Sequence, residues 1–416
     1  MSAVVDTYRD DADVSYAVDF GRDREPSKTR SRHPDYRRAG GAPTRVSGMH
    51  SRRNKRWTWG SGRGARMLNV RAFASCVAFA VMSLSTVVFG VTIDYTPVGN
   101  PGNPANGATG WGAVSDTFKI SKYETSNSQY TEFLNKVDSA GTNPNGVYNS
   151  LMGSDAVGGI TFNAAASAGS KYSVKAGAPA GAPAGTSYGA MPVVFTSWFS
   201  AARFANWLQN GQVTGSGATA SMETGAYTLN NQTSGAIPAR NAGATVYLPS
   251  RDQWYKAGFY NGSAYTMFPT KNVTAPTNTV TNVTLANVAN YGGASTPTVS
   301  PINVGSYVNT TSFYGAYDMF GNATELTDTA GTGADAGKPQ VFSGSWATAL
   351  ADANSWNKTG AAIFRNSTVT TSQVGFRIAA VPEPATIALA SVGIGALAGL
   401  DWMKRRKKKA LARIAG

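Results

Sequence analysis

Residues 91–384 contain no cysteine and no histidine, and this absence constrains the chain more than any other feature. The only cysteine is Cys76, inside an apolar run, while His33 and His50 both lie in a basic N-terminal stretch. A body without these residues forms no disulfide, no thiolate or imidazole zinc site and no Ser-His-Asp triad. It has to fold on apolar packing and hydrogen bonds, and any metal in it needs oxygen ligands, which suit calcium.

The net charge of +14 lies in the two ends of the chain. Residues 1–71 carry +8 and residues 401–416 carry +6, whereas residues 72–400 are neutral overall. A neutral body argues against nucleic-acid binding, which needs a basic face to follow the phosphates. Charged residues make up only 14% of the sequence, which is typical of a loop-rich globular protein with additional segments.

An uncharged apolar run at 72–93 follows several arginines, and this order is typical of a secretory signal. Met67 is a conventional start for such a segment, so we predict a signal peptide over 67–93 that is cut near residue 90. The run is also long enough to span a bilayer, so an uncleaved anchor is the alternative. Residues 1–66 are predicted to be a disordered basic extension. They are either a cytoplasmic arm or upstream sequence that is absent from the working protein.

The C-terminal end combines three features in a fixed order. Pro382-Glu383-Pro384 comes first, an apolar stretch follows at 385–400, and the sequence KRRKKK stands at 404–409. An apolar span closed by a basic cluster is a stop-transfer arrangement that keeps the positive charge in the cytoplasm. The whole tail resembles the PEP-CTERM sorting signal of Gram-negative bacteria, so we assign residues 381–409 to a sorting signal with a transmembrane helix. A plain C-terminal membrane anchor is the alternative.

This resemblance implies a route for the protein. The tail would be read by an exosortase after the secretion machinery has exported the chain. The C-terminal helix would hold an intermediate in the inner membrane. After processing, we expect the protein at the outer membrane, the cell surface or the extracellular matrix of a Gram-negative-type bacterium.

Between the two ends we predict a linker at 94–117 and a folded domain at 118–380. Apolar residues at helical spacing follow Ser126 and Ser250, each of which opens a Ser-x-x-Gln capping box, and a third helix is predicted at 197–210. Short β-like runs are Thr245–Leu248, Val341–Trp346 and Val374–Ala380. A few helices, scattered short strands and long polar loops indicate an α+β domain.

Six blocks of this domain resemble, in the same order, the motifs of the formylglycine-generating-enzyme (sulfatase-modifying-factor) family. The blocks are Phe118–Leu134, Pro192–Leu208, Tyr247–Trp254, Gly315–Glu325, Ser343–Trp346 and Val374–Arg377. The resemblance implies a C-type-lectin-like α+β fold with little regular secondary structure.

Most of the blocks have a structural interpretation. Large aromatic side chains dominate burial, so we expect the block tryptophans to form core. They are Trp198, Trp207, Trp254 and Trp346. Gly344 and Gly375 are expected to allow tight backbone geometry. Arg377 is predicted to be a buried structural partner for a carboxylate such as Glu124.

The sequence departs from the family where the family does its chemistry. Catalytic members hold copper with paired cysteines near the end of the domain, and the corresponding stretch from Trp346 to Arg377 has no cysteine. Sulfoxide-synthase relatives bind iron through histidine, which the domain also lacks. Asn or Ser cannot replace a thiolate or an imidazole at a redox metal. We therefore expect no copper, iron or zinc, and predict that the protein is not an enzyme.

The resemblance leaves one candidate metal site. Family members hold calcium beside the block that contains Asn322 and Glu325, using these side chains and backbone carbonyls. The carbonyl of Ala323 would be a third ligand, and Asn290 matches a second family site. Hard oxygen ligands of this kind suit calcium. The alternative is that Asn322 caps a turn and Glu325 pairs with an arginine.

Two functions remain open. The first is a non-catalytic surface or extracellular-matrix protein that uses a lectin-like scaffold to bind envelope polysaccharide or surface proteins. Its long polar loops, at 138–190, 211–244 and 261–300, are where binding specificity would lie. The alternative is a divergent formylglycine-generating-type oxidoreductase or accessory factor, which copper uptake and thiol oxidation would reveal.

Overall fold

The computed structural model describes residues 90–292, 300–351 and 363–382. The predicted extension at 1–66, most of the predicted signal peptide and the sorting signal from Glu383 onward lie outside these residues. Within the described part of the chain, no helix is long and apolar enough to cross a membrane.

The three predicted helices are present. The α-helices are α1 (Asn127–Val137), α2 (Leu151–Ser154), α3 (Trp198–Gln209), α4 (Ala218–Ser221) and α5 (Arg251–Phe259), with single 3-10 turns at Pro144–Gly146, Tyr188–Ala190, Gly215–Gly217 and Gly333–Asp335. Ser126 and Ser250 each form a complete capping box with a glutamine three residues later, as predicted. Ser197 caps α3 by accepting a hydrogen bond from the backbone N–H of Ser200. These local signals fix where each helix begins.

The strands are short and form two four-stranded sheets and two two-stranded sheets in the described residues. They are β1 (Tyr95–Val98), β2 (Phe118–Ser121), β3 (Ile160–Phe162), β4 (Tyr172–Val174), β5 (Val246–Tyr247), β6 (Thr277–Asn278), β7 (Val288–Ala289), β8 (Thr324–Ala330), β9 (Pro339–Phe342), β10 (Ile363–Phe364), β11 (Val374–Phe376) and β12 (Ala379–Ala380). One four-stranded sheet has the order β1-β2-β12-β5 with antiparallel pairs throughout. The other has the order β10-β9-β8-β11, in which β11 runs parallel to β8. The two-stranded sheets are β3-β4 and β6-β7. The fold is therefore α+β, as predicted.

The predicted linker at 94–117 needs correction, because the segment belongs to the folded domain. Strand β1 pairs with β2 over its full length, and Val98 and Trp111 are buried in a core cluster. Even Val91 is buried against the main core, and its carbonyl accepts a hydrogen bond of 2.8 Å from Gln212. The many Gly, Pro and Asn residues predicted an entry loop, but the few apolar residues among them are enough to anchor it.

The core is rich in aromatic contacts, and the block tryptophans largely form it as predicted. Trp198, Trp207 and Trp254 are fully buried, whereas Trp346 is half-buried. Trp254 stacks on Phe342 with ring centroids 4.7 Å apart and planes 10° apart. Such pairs add roughly 0.5–1.5 kcal/mol beyond the area that they bury. The tryptophans therefore hold the helices against the sheets.

Both block glycines are required by the backbone, as expected. Gly344 has a φ of 68°, in the left-handed region that side chains other than glycine rarely adopt. A Cβ atom on Gly375 would lie 2.6 Å from the carbonyl oxygen of Val193, too close for any other residue. This close approach lets β11 pack against the backbone at Val193.

Candidate functional site: a buried carboxylate cluster and a hydroxyl cluster

Three carboxylates and one guanidinium are buried together where β8, β11 and β2 approach each other. We call Glu124, Asp318, Glu325 and Arg377 the carboxylate cluster; all four side chains are buried. The parallel pairing of β8 and β11 places Glu325 opposite Gly375, two residues before Arg377. The sheet register therefore brings a glutamate and an arginine from distant parts of the chain into contact.

Glu325 and Arg377 form a bidentate ion pair in the core. The guanidinium Nε lies 2.5 Å from Oε2 of Glu325, and Nη2 lies 2.6 Å from Oε1. The indole N–H of Trp254 donates to the same Oε2 at 2.7 Å. The remaining guanidinium N–H groups donate to the carbonyl oxygens of Ser121 and Tyr317. Both charges are thus satisfied by directional hydrogen bonds, which a buried ion pair requires.

The prediction that Arg377 is buried in a structural role is confirmed, but the predicted partner, Glu124, is not the residue that it pairs with. Glu124, the expected partner, instead accepts hydrogen bonds from the Asn322 side chain at 2.7 Å and from the Ala323 N–H at 2.9 Å. Arg377 binds Glu325 because β11 pairs directly with β8. The structure thus shows the alternative interpretation of Glu325, as the partner of an arginine.

Asn322 joins the carboxylate cluster to the loop before Ile302. Its φ is 61°, and its side-chain oxygen accepts from the Ile302 N–H at 3.0 Å and from the Asn290 side chain at 3.3 Å. Its own N–H donates to the Asn290 carbonyl at 2.8 Å. The structure therefore brings Asn290, Asn322 and Ala323 together around Glu124, while Glu325 faces Arg377.

The predicted calcium ligands differ in whether their side-chain oxygens already accept hydrogen bonds. Every oxygen of Glu325 already accepts an N–H, and the side-chain oxygen of Asn322 accepts two, so neither faces a place where a cation fits. Asn290 differs, because its buried Oδ1 has no hydrogen-bond partner among the described residues. The buried hydroxyl of Ser300 also has none, and the Asn290 amide donates to the Ser300 carbonyl at 3.2 Å. Partnerless buried oxygens are what a bound cation would satisfy.

No acidic site compensates for the loss of Glu325 as a ligand. Within the described ranges, no group of three or more His, Cys, Asp or Glu side chains is placed to hold a metal ion. Calcium at Asn290 would therefore rest on neutral oxygen atoms. Calcium binding stays a prediction for Asn290, and the geometry does not support Glu325 or Asn322 as its ligands.

Burial shifts the acid–base behaviour of the carboxylate cluster. It raises the pKa of Glu124 well above its usual range, and the nearby charges of Asp318 and Glu325 raise it further. Burial also raises the pKa of Asp318 to about 6, although the Gly305 N–H opposes this by donating to its Oδ2 at 2.6 Å. The other oxygen of Asp318 is buried and has no hydrogen-bond partner in the described residues. One arginine thus faces more acidic groups than it can neutralise.

A second polar group lies at and just before the stretch from Trp346 to Arg377, where the family resemblance places the cysteines. We call Ser345, Thr348 and Gln373 the hydroxyl cluster. The Ser345 hydroxyl lies 3.1 Å from that of Thr348 and donates to the Gln373 side-chain oxygen at 2.9 Å. These bonds involve hydroxyls and an amide but no base, and a hydroxyl is a weak nucleophile without a base to activate it. Residues 352–362 of this stretch lie outside the described residues.

Sequence comparison identifies the family. Residues 104–381 match the sulfatase-modifying factor enzyme 1-like domain, and residues 380–408 match the PEP-CTERM protein-sorting motif. The chain therefore belongs to the sulfatase-modifying factor family and carries a sorting signal at its C-terminal end. This motif implies exosortase-dependent export and sorting to the cell surface of a Gram-negative bacterium.

Three solved structures are similar to the chain. CarF shares 19% identity over 70% of this chain and 99% of its own, with a TM-score of 0.45. Variable protein 1 of Treponema denticola shares 18% over 71% and 97%, with a TM-score of 0.44. PvdO from Pseudomonas aeruginosa shares 14% over 70% and 93%, with a TM-score of 0.36. No curated protein sequence gives a significant match.

Sequence reasoning missed two features of the site. The packing of Asp318, with one oxygen unpartnered, was not predicted. Its position inside a family-like block, next to the apolar Met319 and Phe320, was the available signal. The hydroxyl cluster gave no signal, because Ser345 and Gln373 meet only after the chain has folded.

Proposed function

We propose that the protein is an exported, non-catalytic surface or matrix protein whose domain binds an envelope polysaccharide. The observation that carries the proposal is the hydroxyl cluster. At the start and near the end of the stretch where the resemblance places the family's cysteines, the described side chains of Ser345, Thr348 and Gln373 bond to one another and to backbone groups. Together with the absence of cysteine and histidine from 91–384, this supports a scaffold without the family's redox chemistry.

A hollow of about 460 Å³ lies between three loop segments and supports a binding role. We call it the loop hollow; it is lined by Pro183–Thr186, by Val280, Thr281 and Val283, and by Ile302, Asn303 and Ser306. Asn303 fixes its walls, since its side chain donates to the Gly185 carbonyl and accepts from the Ser187 N–H, both at 2.9 Å. Two of the three walls are therefore joined to each other before any ligand binds.

The chemistry of the loop hollow favours an uncharged polar ligand. Its lining carries hydroxyls, an amide and small apolar groups but no ionisable side chain. Such a surface offers hydrogen bonds and flat contacts without selecting a charge, which suits a neutral polysaccharide better than a charged peptide. Long loops on a rigid scaffold are also where proteins commonly place binding specificity.

Binding of purified protein to polysaccharide extracted from the native envelope tests this proposal. Thr186→Trp, which fills the loop hollow, should abolish binding. Ala164→Trp, at an exposed position outside the hollow, should leave it unchanged. Equal binding by both variants would show that the loop hollow is not the binding site. Binding of surface proteins but of no polysaccharide would show that the ligand is a protein and not a polysaccharide.

A further inference from the structure

The sorting signal leaves the domain from the middle of a sheet. Strand β12 pairs with β2 on one side and with β5 on the other. The next residue, Val381, is still tied to the sheet, because its N–H donates to the Thr245 carbonyl at 2.9 Å. Pro382, the first residue of the Pro-Glu-Pro sequence, follows at once. The folded domain therefore provides no spacer before the signal.

The chain between the sheet and the predicted membrane span is short. Three residues, Pro382, Glu383 and Pro384, separate Val381 from Ala385, where the apolar stretch begins. Fully extended, the four steps from Val381 to Ala385 reach about 14 Å. A membrane protein that cuts at Pro382-Glu383-Pro384 must therefore work within that distance of the end of the sheet.

Strand β12 is not free to move out and lengthen this gap. Ala379 and Ala380 are buried, and Arg377, just before them, is fully buried in its ion pair with Glu325. Pulling β12 away would break its pairing on both sides and would separate a buried charge pair, which is strongly destabilising. The enzyme has to approach the folded domain instead.

A second hollow, of about 380 Å³, lies beside the exit of the chain. We call it the exit hollow; its lining includes residues 113–118, Arg240, Tyr247, Asp252 and Val381. Arg240 lies over the Tyr247 ring at 3.7 Å and pairs with Asp328 at 2.7 Å, so this wall is fixed. Ser115, Asp116 and Thr117 form an exposed rim.

We infer that the exit hollow is a contact surface for the exosortase that processes the tail. The inference rests on the sorting step of the proposed function and adds to it a surface of the folded domain. The exosortase reads the signal beside Val381, and the hollow receives a protruding part of the enzyme as it reaches the bond to be cut. Recognition then depends on the domain as well as on Pro382-Glu383-Pro384.

Processing of the full-length chain in its native cells tests the inference. Ser115→Trp fills the exit hollow at an exposed position, and we expect conversion of precursor to mature protein to slow about tenfold, as loss of a modest contact would produce. Ala164→Trp adds the same bulk outside the hollow and should be processed at the normal rate. Conversion of Ser115→Trp at the rate of this control would overturn the inference.

A spacer separates a contact effect from a folding effect. Ten Gly/Ser residues inserted between Val381 and Pro382 carry the signal away from the hollow. In the native background the spacer should itself slow conversion about as much as Ser115→Trp does, and in the Ser115→Trp background it should add no further slowing; a spacer variant that is processed at the normal rate would overturn the inference. Glu383→Ala tests the sorting step separately, since unchanged processing of that variant would contradict sorting itself and not only the role of the hollow.

Discussion

The carboxylate cluster and the hydroxyl cluster lie in neighbouring blocks of the same family but differ in character. In the first, Glu325 and Arg377 are ionic, fully buried and joined by two short hydrogen bonds. In the second, Ser345 and Thr348 are neutral hydroxyls that bond to each other and to an amide. The groups that hold the fold together are present, whereas those that perform the family's chemistry are absent. The fold alone is therefore no evidence for the activity.

The largest expected effect is on the ion pair. Arg377→Met leaves Glu325 buried without its counter-charge, and we expect a loss of about 3–5 kcal/mol in the free energy of unfolding. Urea denaturation measures it. The double variant Arg377→Met/Glu325→Leu removes both charges and should recover part of the loss, because the two effects are coupled. A single variant as stable as the native protein would mean that the carboxylate cluster does not hold the fold.

The next effect is a dependence of stability on pH that Asp318 produces. Its pKa rises from 3.8 to about 6 on folding, so the folded state binds the proton more tightly than the unfolded state. Stability is then greatest below pH 4 for this group and falls as the pH rises to about 6, by up to about 3 kcal/mol. Glu124, whose pKa is also raised, acts in the same direction.

Asp318→Asn removes that titration while keeping an oxygen for the Gly305 N–H. Urea denaturation from pH 4 to pH 7 should show a flatter profile and a more stable protein at pH 7 than the native chain. The remaining slope should come from Glu124. Arg377 and Glu325 act on both carboxylates, and Asn322 donates to Glu124, in native and variant alike. An unchanged profile would show that Asp318 is ionised in both states at these pH values.

A calcium effect should follow Asn290 and not Glu325. We predict that calcium raises the melting temperature of the native protein, since a ligand that binds only the folded state stabilises it, by about 2.7 kcal/mol at a hundredfold excess over Kd. Asn290→Ala should remove this shift, because its oxygen has no other partner among the described residues. Glu325→Gln should lower the melting temperature with and without calcium but keep the difference. Identical melting with calcium and with chelator would reject the site.

The smallest effect is expected in the hydroxyl cluster. Ser345→Ala removes three hydrogen bonds of the hydroxyl and should cost about 1–2 kcal/mol, with no loss of polysaccharide binding. Thermal melting and the binding assay measure the two results. Loss of binding with normal stability would show that the hydroxyl cluster contacts a ligand. The hydroxyl cluster would then have a function of its own.

Local signals made part of this structure predictable. The capping boxes at Ser126 and Ser250 fixed two helix starts, because a cap depends on residues only three positions apart. Strand β1 was hidden, since a Gly-, Pro- and Asn-rich segment becomes a strand only when β2 is there to pair with it. Its location depends on tertiary contact, which no local pattern reports.

The partner of Arg377 shows the same limit at the site. Sequence predicted that the arginine is buried against a carboxylate, for which Glu124 was the example given. The parallel pairing of β8 with β11, which joins residues far apart in the chain, selects Glu325. The unpartnered oxygens of Asn290 and Asp318 likewise arise from packing. The family-like blocks made it possible to predict which residue types form the site, but not which of these residues pair with each other.

The most direct test is an oxygen-dependent assay of the purified mature protein with copper(I) and a cysteine-containing sulfatase peptide. Because residues 91–384 have neither thiol nor imidazole, we predict no tight copper(I) binding and no conversion of the peptide. A matched assay with a catalytic family member confirms that the peptide is competent. Conversion of the peptide to formylglycine by this protein would contradict the non-catalytic function and would require a mechanism without cysteine.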